Sequence, residues 1–140
     1  MIQYITEGVE MPAIDKKEIS AWIKAVALKY GKKAGDIAYI FCNDAKILEV
    51  NRQYLEHDYY TDIITFDYSE AKTISGDIFI SLDTVKSNSE QFDTAYDTEL
   101  RRVIIHGILH LCGQDDKTPA LRAEMTEKEN DALRLLLGNV

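Results

Sequence analysis

The chain holds three histidines, and two of them, His106 and His110, stand four residues apart in the apolar segment Val103-Ile104-Ile105-His106-Gly107-Ile108-Leu109-His110-Leu111-Cys112. On a helix, that spacing stacks both imidazoles on one face. Gly113 follows three residues later and suits the left-handed turn that ends a helix; Asp116 stands three beyond it, so the chain can fold back toward the same face. The pattern HxxxHxxGxxD thus offers two imidazoles and one carboxylate and leaves a fourth coordination place open, as catalytic rather than structural zinc sites do. The expected cofactor is one Zn2+ per chain, with another divalent metal as the substitute. The alternative is a pair of core histidines whose ring donors and acceptors are satisfied by neighbouring backbone or carboxylates.

In zinc peptidases of the HExxH type, the residue after the first histidine is the glutamate that activates water, and here it is Gly107. A peptidase would need another acid over the metal, such as Asp62, Asp77 or Asp115. The spacing by itself specifies a hydrolytic metal site and no substrate. Asp115 is the nearest spare carboxylate, expected behind the ligands, where it orients an imidazole, with general-base work as its other role. Gly107 costs about 1 kcal/mol relative to alanine inside a helix, so a close strand or a substrate must need the space. Cys112 lies two residues from His110, about 200° around the helix, and falls outside the site.

The elements that must position these groups follow from periodicity. Residues 2–5 read as a first strand. Asp15 and Glu18 form a capping-box-like start, and Ile19, Trp22, Ile23, Val26, Ala27 and Tyr30 recur at helical spacing until Gly31, which gives a helix over about 16–30. Residues 37–42 are a nearly continuous apolar run closed by Asn43-Asp44, a buried strand followed by a helix cap and a helix over about 44–56. Residues 62–66 and 77–81 are rich in β-branched and aromatic side chains and read as two strands. A weak polar helix near 83–91 precedes a strong one from about Asp97 to Cys112. Thr118-Pro119 starts a last helix that Leu121, Met125, Leu133, Leu136 and Leu137 carry to Gly138. The order β-α-β-α-β-β-α-α-α predicts an α+β fold: a small mixed four-stranded sheet packed with about five helices, the HxxxH helix central. No linker or repeat divides the chain, so residues 1–140 read as one domain.

At 140 residues, with 46% hydrophobic and 29% charged residues, the chain can bury a core without staples. No run approaches the ~18 apolar residues that span a bilayer, and the first twenty residues lack a signal-like pattern, so a cytoplasmic protein with no membrane partner is expected. Cys42 and Cys112 read as reduced core thiols. The net charge of −8 argues against counterion-release binding over the whole surface, and no DNA partner is expected. Lys16, Lys17, Lys24, Lys29, Lys32 and Lys33 nevertheless face only Asp15 and Glu18 within their segment, which is either a solvated helix face or a footprint for phosphates.

With HGILHLCGQDD placed after a GDI-containing strand, the chain resembles the YbeY family of metal-dependent endoribonucleases over roughly residues 35–130. The family signature HGxLHLxGxDH is matched by His106, Gly107, Leu109, His110, Leu111, Gly113 and Asp115. Asn51, Tyr54, Asp58, Thr61, Asp62 and Phe66 resemble its segment NxxYRxxDxPTDVLSF, and Gly76-Asp77-Ile78 its GDI strand. Three positions depart from the pattern: the third metal-binding histidine is Asp116, the arginine after the tyrosine is Leu55, and the proline before Thr61 is Tyr60. An aspartate ligand reaches less far and lowers the net charge of the metal centre, which raises the pKa of bound water. Leucine in place of arginine removes a bidentate phosphate clamp, for which Arg52, Arg101 and Arg102 are the candidate replacements.

The resemblance implies a zinc-dependent, single-strand-specific endoribonuclease in ribosomal RNA maturation and ribosome quality control, including 16S rRNA 3′-end processing, with ribosomal RNA and the small ribosomal subunit as partners. In that reading, a divalent ion on His106, His110 and Asp116 polarises a phosphoryl oxygen and acidifies water. The strands around residues 62–66 and 77–80 wall the cleft, and the lysine-rich helix faces RNA. Tyr54, Tyr59, Tyr60, Phe66 and Tyr68 are candidates for base stacking as well as for packing. The rival reading is a metal-stabilised, non-catalytic ribosome-assembly factor.

Overall fold

Strand β1 (Ile2–Thr6) leads into helix α1 (Lys16–Lys29), which begins where the Asp15 carboxylate accepts the Glu18 N–H. The computed structural model describes residues 1–55 and 61–136. Strand β2 (Lys33–Cys42) is followed by α2 (Asp44–Leu55), capped by Asn43 Oδ1, which accepts the Lys46 N–H at 2.9 Å. After β3 (Ile63–Asp67) and β4 (Thr73–Ser81), the Ser81 hydroxyl accepts from Thr84 N–H and starts α3 (Leu82–Gln91). Helix α4 (Tyr96–Leu111) carries both histidines, and α5 (Pro119–Leu136) opens with Thr118 Oγ1 accepting the Leu121 N–H at 3.1 Å. Asp58, Tyr59, Tyr60, Leu137 and Gly138, singled out above, lie outside the described residues.

The sheet is mixed, ordered β1-β2-β4-β3, so the fold is α+β as expected. β1, β2 and β4 run parallel, and β3 pairs antiparallel with β4. Both β2 and β4 begin earlier than their apolar runs. Lys33 and Ala34 pair with Thr73 and Ile74 before a register irregularity; β2 has no buried residue before Ile37, whereas β4 alternates from its first residue, with Ile74 and Gly76 buried between Thr73, Ser75 and Asp77. β4 lies between β2 and β3, which leaves β3 on the outside of the sheet.

Each face of the sheet buries a different set of side chains. Ile37, Tyr39, Phe41, Ile74, Ile78 and Ile80 pack with α1, α4 and α5 in the main core, each fully buried isoleucine worth about 1.5–3 kcal/mol. On the opposite face, Ile47 and Val50 of α2 cover Cys42 and Ile64, with Phe66 and Phe79 against them. Gly107 is the point of closest approach between α4 and the sheet: a Cβ there would lie 3.0 Å from Ile78 Cδ1 and 3.2 Å from Ile63 Cδ1. Of the two reasons expected for this glycine, the close strand is the one seen. Among the described residues, no helix is long and apolar enough to cross a membrane.

Candidate metal centre

Helix α4 turns its apolar residues to the core and leaves His106 and His110 along one half-buried stripe, their ring centroids 4.7 Å apart. The helix ends in a Schellman turn. Gly113 takes φ +103°, Gln114 N–H donates to Leu109 O at 3.0 Å, and Gly113 N–H donates to His110 O at 2.9 Å. Asp115 Oδ1 then accepts the N–H groups of Asp116 (2.6 Å) and Lys117 (3.0 Å), fixing the loop so that the Asp116 carboxylate reaches the imidazoles. Asp116 Oδ2 lies 3.3 Å from His106 Nε2 and 3.5 Å from His110 Nε2.

Behind His106, Glu129 Oε2 lies 2.6 Å from Nδ1. Its other oxygen accepts from Arg102 Nη1 at 2.9 Å, while Arg102 Nη2 donates to Asn130 Oδ1 at 2.7 Å. Asp115, expected to orient an imidazole, is committed to loop backbone, and at His106 that place belongs to Glu129. A short loop carboxylate cannot both cap its own turn and reach behind the helix, whereas α5 packs along α4 and delivers Glu129 there. The sequence signal was Glu129 itself, a carboxylate on the buried stripe of α5 with Met125, Ala132 and Leu133. Arg102, a candidate phosphate clamp, is held by this network.

When neutral His106 donates Nδ1–H to Glu129, its Nε2 presents a lone pair to the Asp116 carboxylate, and the two acceptors are then reconciled by a proton or a metal ion between them. Burial pushes the His106 pKa down, but the hydrogen bond and charge of Glu129, with Asp116 and Asp62, outweigh it and raise the value. His110 is lowered, by burial first and then by the charge of His106, against the pull of Asp116. The one group of three or more possible ligands among the described residues is His106, His110 and Asp116, whose ligand atoms all lie within 4.8 Å of one another. Bonds of ~2.0–2.1 Å in a tetrahedron separate ligand atoms by about 3.3 Å, close to both imidazole–carboxylate distances, so the donor set could hold a metal ion.

The triad opens into a cleft of about 590 Å³, bounded by Asp62, Ile63, Thr65 and Asp67 from the β3 side and by Asn51 and Leu55 of α2. Burial raises the Asp62 pKa, with partial relief from the charge of His106. Two expectations need correction. Residues 77–80 of β4 do not wall the cleft, because β3 stands outside them; Asp77 faces away and accepts from the Tyr68 hydroxyl at 3.4 Å. The lysine-rich helix is also away from it: Lys16 and Lys17 line a separate groove with β1, at the other edge of the sheet. Among the described residues lining the cleft there is no lysine or arginine. Tyr54 and Phe66 meet edge to face at 5.8 Å behind it, Tyr54 being 61% exposed.

Comparison with known proteins agrees with this geometry. The family model described as Endoribonuclease YbeY matches residues 4–136. An endoribonuclease YbeY of Phocaeicola vulgatus is 69% identical over 136 residues, covering 97% of this chain and 99% of the relative. One from Parabacteroides distasonis is 67% identical over 135 residues, covering 96% and 95%. The solution structure of a Thermotoga maritima protein superposes with a TM-score of 0.69 at 27% identity, covering 99% of this chain and 91% of that one.

Proposed function

This chain belongs to the endoribonuclease YbeY family, and from that premise we propose that it is a zinc-dependent endoribonuclease that cuts single-stranded segments during ribosomal RNA maturation. The observation that carries the metal chemistry is the convergence of His106 Nε2, His110 Nε2 and Asp116 Oδ2 within 4.8 Å at the wall of an open cleft. A divalent ion held there supplies Lewis acidity at a phosphoryl oxygen and acidifies water. Glu129 keeps the His106 proton on Nδ1 and so keeps Nε2 available as a ligand. Asp116 brings a negative charge where a third imidazole would bring none, so water at this centre is less acidic than at a three-histidine one. Asp62, a carboxyl raised by burial inside the cleft, is the group placed to take up a proton and return it. The protein acts in the cytoplasm on RNA of the small ribosomal subunit, with residues 1–140 working as one domain.

Elemental analysis of protein purified without added metal, paired with cleavage of single-stranded RNA, tests this reading. Wild type is expected to hold one zinc per chain and to cut; His106→Ala and Asp116→Ala are expected to lose both while still melting cooperatively. Zinc-loaded wild type that leaves structured and unstructured ribosomal RNA intact would instead establish a non-catalytic assembly factor.

A further inference from the structure

The free edge of β3 forms one wall of the metal cleft, and its hydrogen-bonding groups have a definite direction. Ser81 N–H donates to Asp62 O at 2.9 Å and Tyr68 N–H to Ser75 O at 2.9 Å, and these pairs share the register that joins Ile64 to Phe79 and Phe66 to Asp77. Hydrogen-bonded pairs alternate in an antiparallel ladder, so residues 62, 64, 66 and 68 turn their backbone toward β4. Ile63, Thr65 and Asp67 therefore turn N–H and C=O outward, and all three line the cleft. The Thr61 hydroxyl donates to Ile63 O at 3.4 Å, as an outward carbonyl allows. Among the described residues, no strand pairs with this edge.

We propose that the outer edge of β3 is a main-chain rail that receives an extended single strand of RNA and leads it to the His106–His110–Asp116 centre. The proposal rests on the nuclease reading and specifies how that site chooses its substrate. The described lining residues include no lysine or arginine and do include Asp62, Asp67 and Asp116, so salt links from these side chains do not supply phosphate recognition there. Neutral donors and acceptors remain. Outward N–H and C=O groups recur about every 6.7 Å along the edge, and each can meet a 2′-hydroxyl, which both donates and accepts, or a base edge. A duplex has its base edges paired and cannot lie along a strand in this way.

Proline is the direct probe, because it deletes an N–H while an outward position on an edge strand can accept it. Thr65→Pro is expected to keep zinc and the circular dichroism spectrum but to raise KM for an unstructured decameric RNA about three- to ten-fold, the worth of one ordinary hydrogen bond. Annealing the complementary strand is expected to abolish cutting. Should Thr65→Pro not fold, hydrogen exchange on zinc-loaded wild type decides: a cleavage-resistant phosphorothioate oligouridylate decamer should slow the amides of Ile63, Thr65 and Asp67. Unchanged KM in a folded Thr65→Pro, equal cutting of duplex, or unchanged exchange at those amides would overturn the rail while leaving the nuclease standing. Protection by an unstructured decapeptide of alternating lysine and valine, and not by RNA, would assign the edge to a protein partner instead. A wild type that cuts no RNA removes the nuclease reading and the rail with it.

Discussion

Glu129 determines which nitrogen of His106 is free to bind. Its carboxylate lies at Nδ1, is buried, and is itself held by Arg102, so neither ring orientation nor tautomer is left to chance. Glu129→Gln is expected to keep the fold but to lower zinc affinity about 10- to 100-fold, measured by competition with a chromophoric chelator. An unchanged affinity would show that packing alone orients the ring. Cys42 illustrates the opposite environment: burial pushes its thiol up to about 12, so it should resist alkylation at mildly alkaline pH until the protein is unfolded.

At the level of elements, Gly107 sets the distance between α4 and the sheet, and with it the height of the imidazoles above β3. Alanine there gains about 1 kcal/mol of helix propensity, yet its Cβ meets Ile78, which is fully buried and has nowhere to retreat, and Ile63, which can move only toward the cleft. Overpacking of this kind costs about 1–3 kcal/mol, so Gly107→Ala should lower the unfolding free energy by a net ~1 kcal/mol, read as a lower urea midpoint, and weaken zinc binding in parallel. A midpoint that rises would mean that Ile63 yields freely. The order of the nine elements among the described residues is legible in the sequence, because helical caps at Asp15, Asn43 and Thr118 and the change from alternating to helical period are local signals. The insertion of β4 between β2 and β3 is not local: it depends on which faces the whole set of elements can bury together. The strand around residues 62–66 is expected at the cleft wall and is found there, whereas for that reason the place of residues 77–80 behind it could not be read from spacing. The metal triad was legible because His106, His110 and Asp116 are joined by one helix and one turn, whereas Glu129 arrives from another helix and is visible only as an acid on an apolar stripe.

On the scale of the whole molecule, pH should act on the metal-free and zinc-loaded proteins in opposite directions. Asp62 and Glu99 are both raised above their ordinary values, 3.8 and 4.5, chiefly by burial. A group whose pKa is higher in the folded chain stabilises the fold fully below its unfolded value, and that contribution disappears as pH rises through the folded value. His106, raised above 6.5, behaves the same way at higher pH; His110, lowered by burial and by His106, works against it, losing its contribution as pH falls through its folded value. The two imidazoles act in opposite directions, and the two carboxyls lower stability as pH rises from their ordinary values of 3.8 and 4.5 through their raised folded values. The net charge of −8 adds to this slope, since ionising further acids increases self-repulsion. Metal-free protein should therefore melt at progressively lower temperature as pH rises through that interval. Zinc reverses the slope, because it binds deprotonated imidazole and carboxylate and must displace protons to do so. At neutral pH and zinc 100-fold above its dissociation constant, binding should contribute about 2.7 kcal/mol, and this contribution should shrink steadily toward acid. Thermal melts of chelator-treated and zinc-loaded protein across this range should give curves that converge at low pH and separate toward neutrality. Parallel curves would mean that zinc is not held by titrating ligands, and a metal-free melting temperature that rises with pH would mean that Asp62 and Glu99 are stabilised as anions.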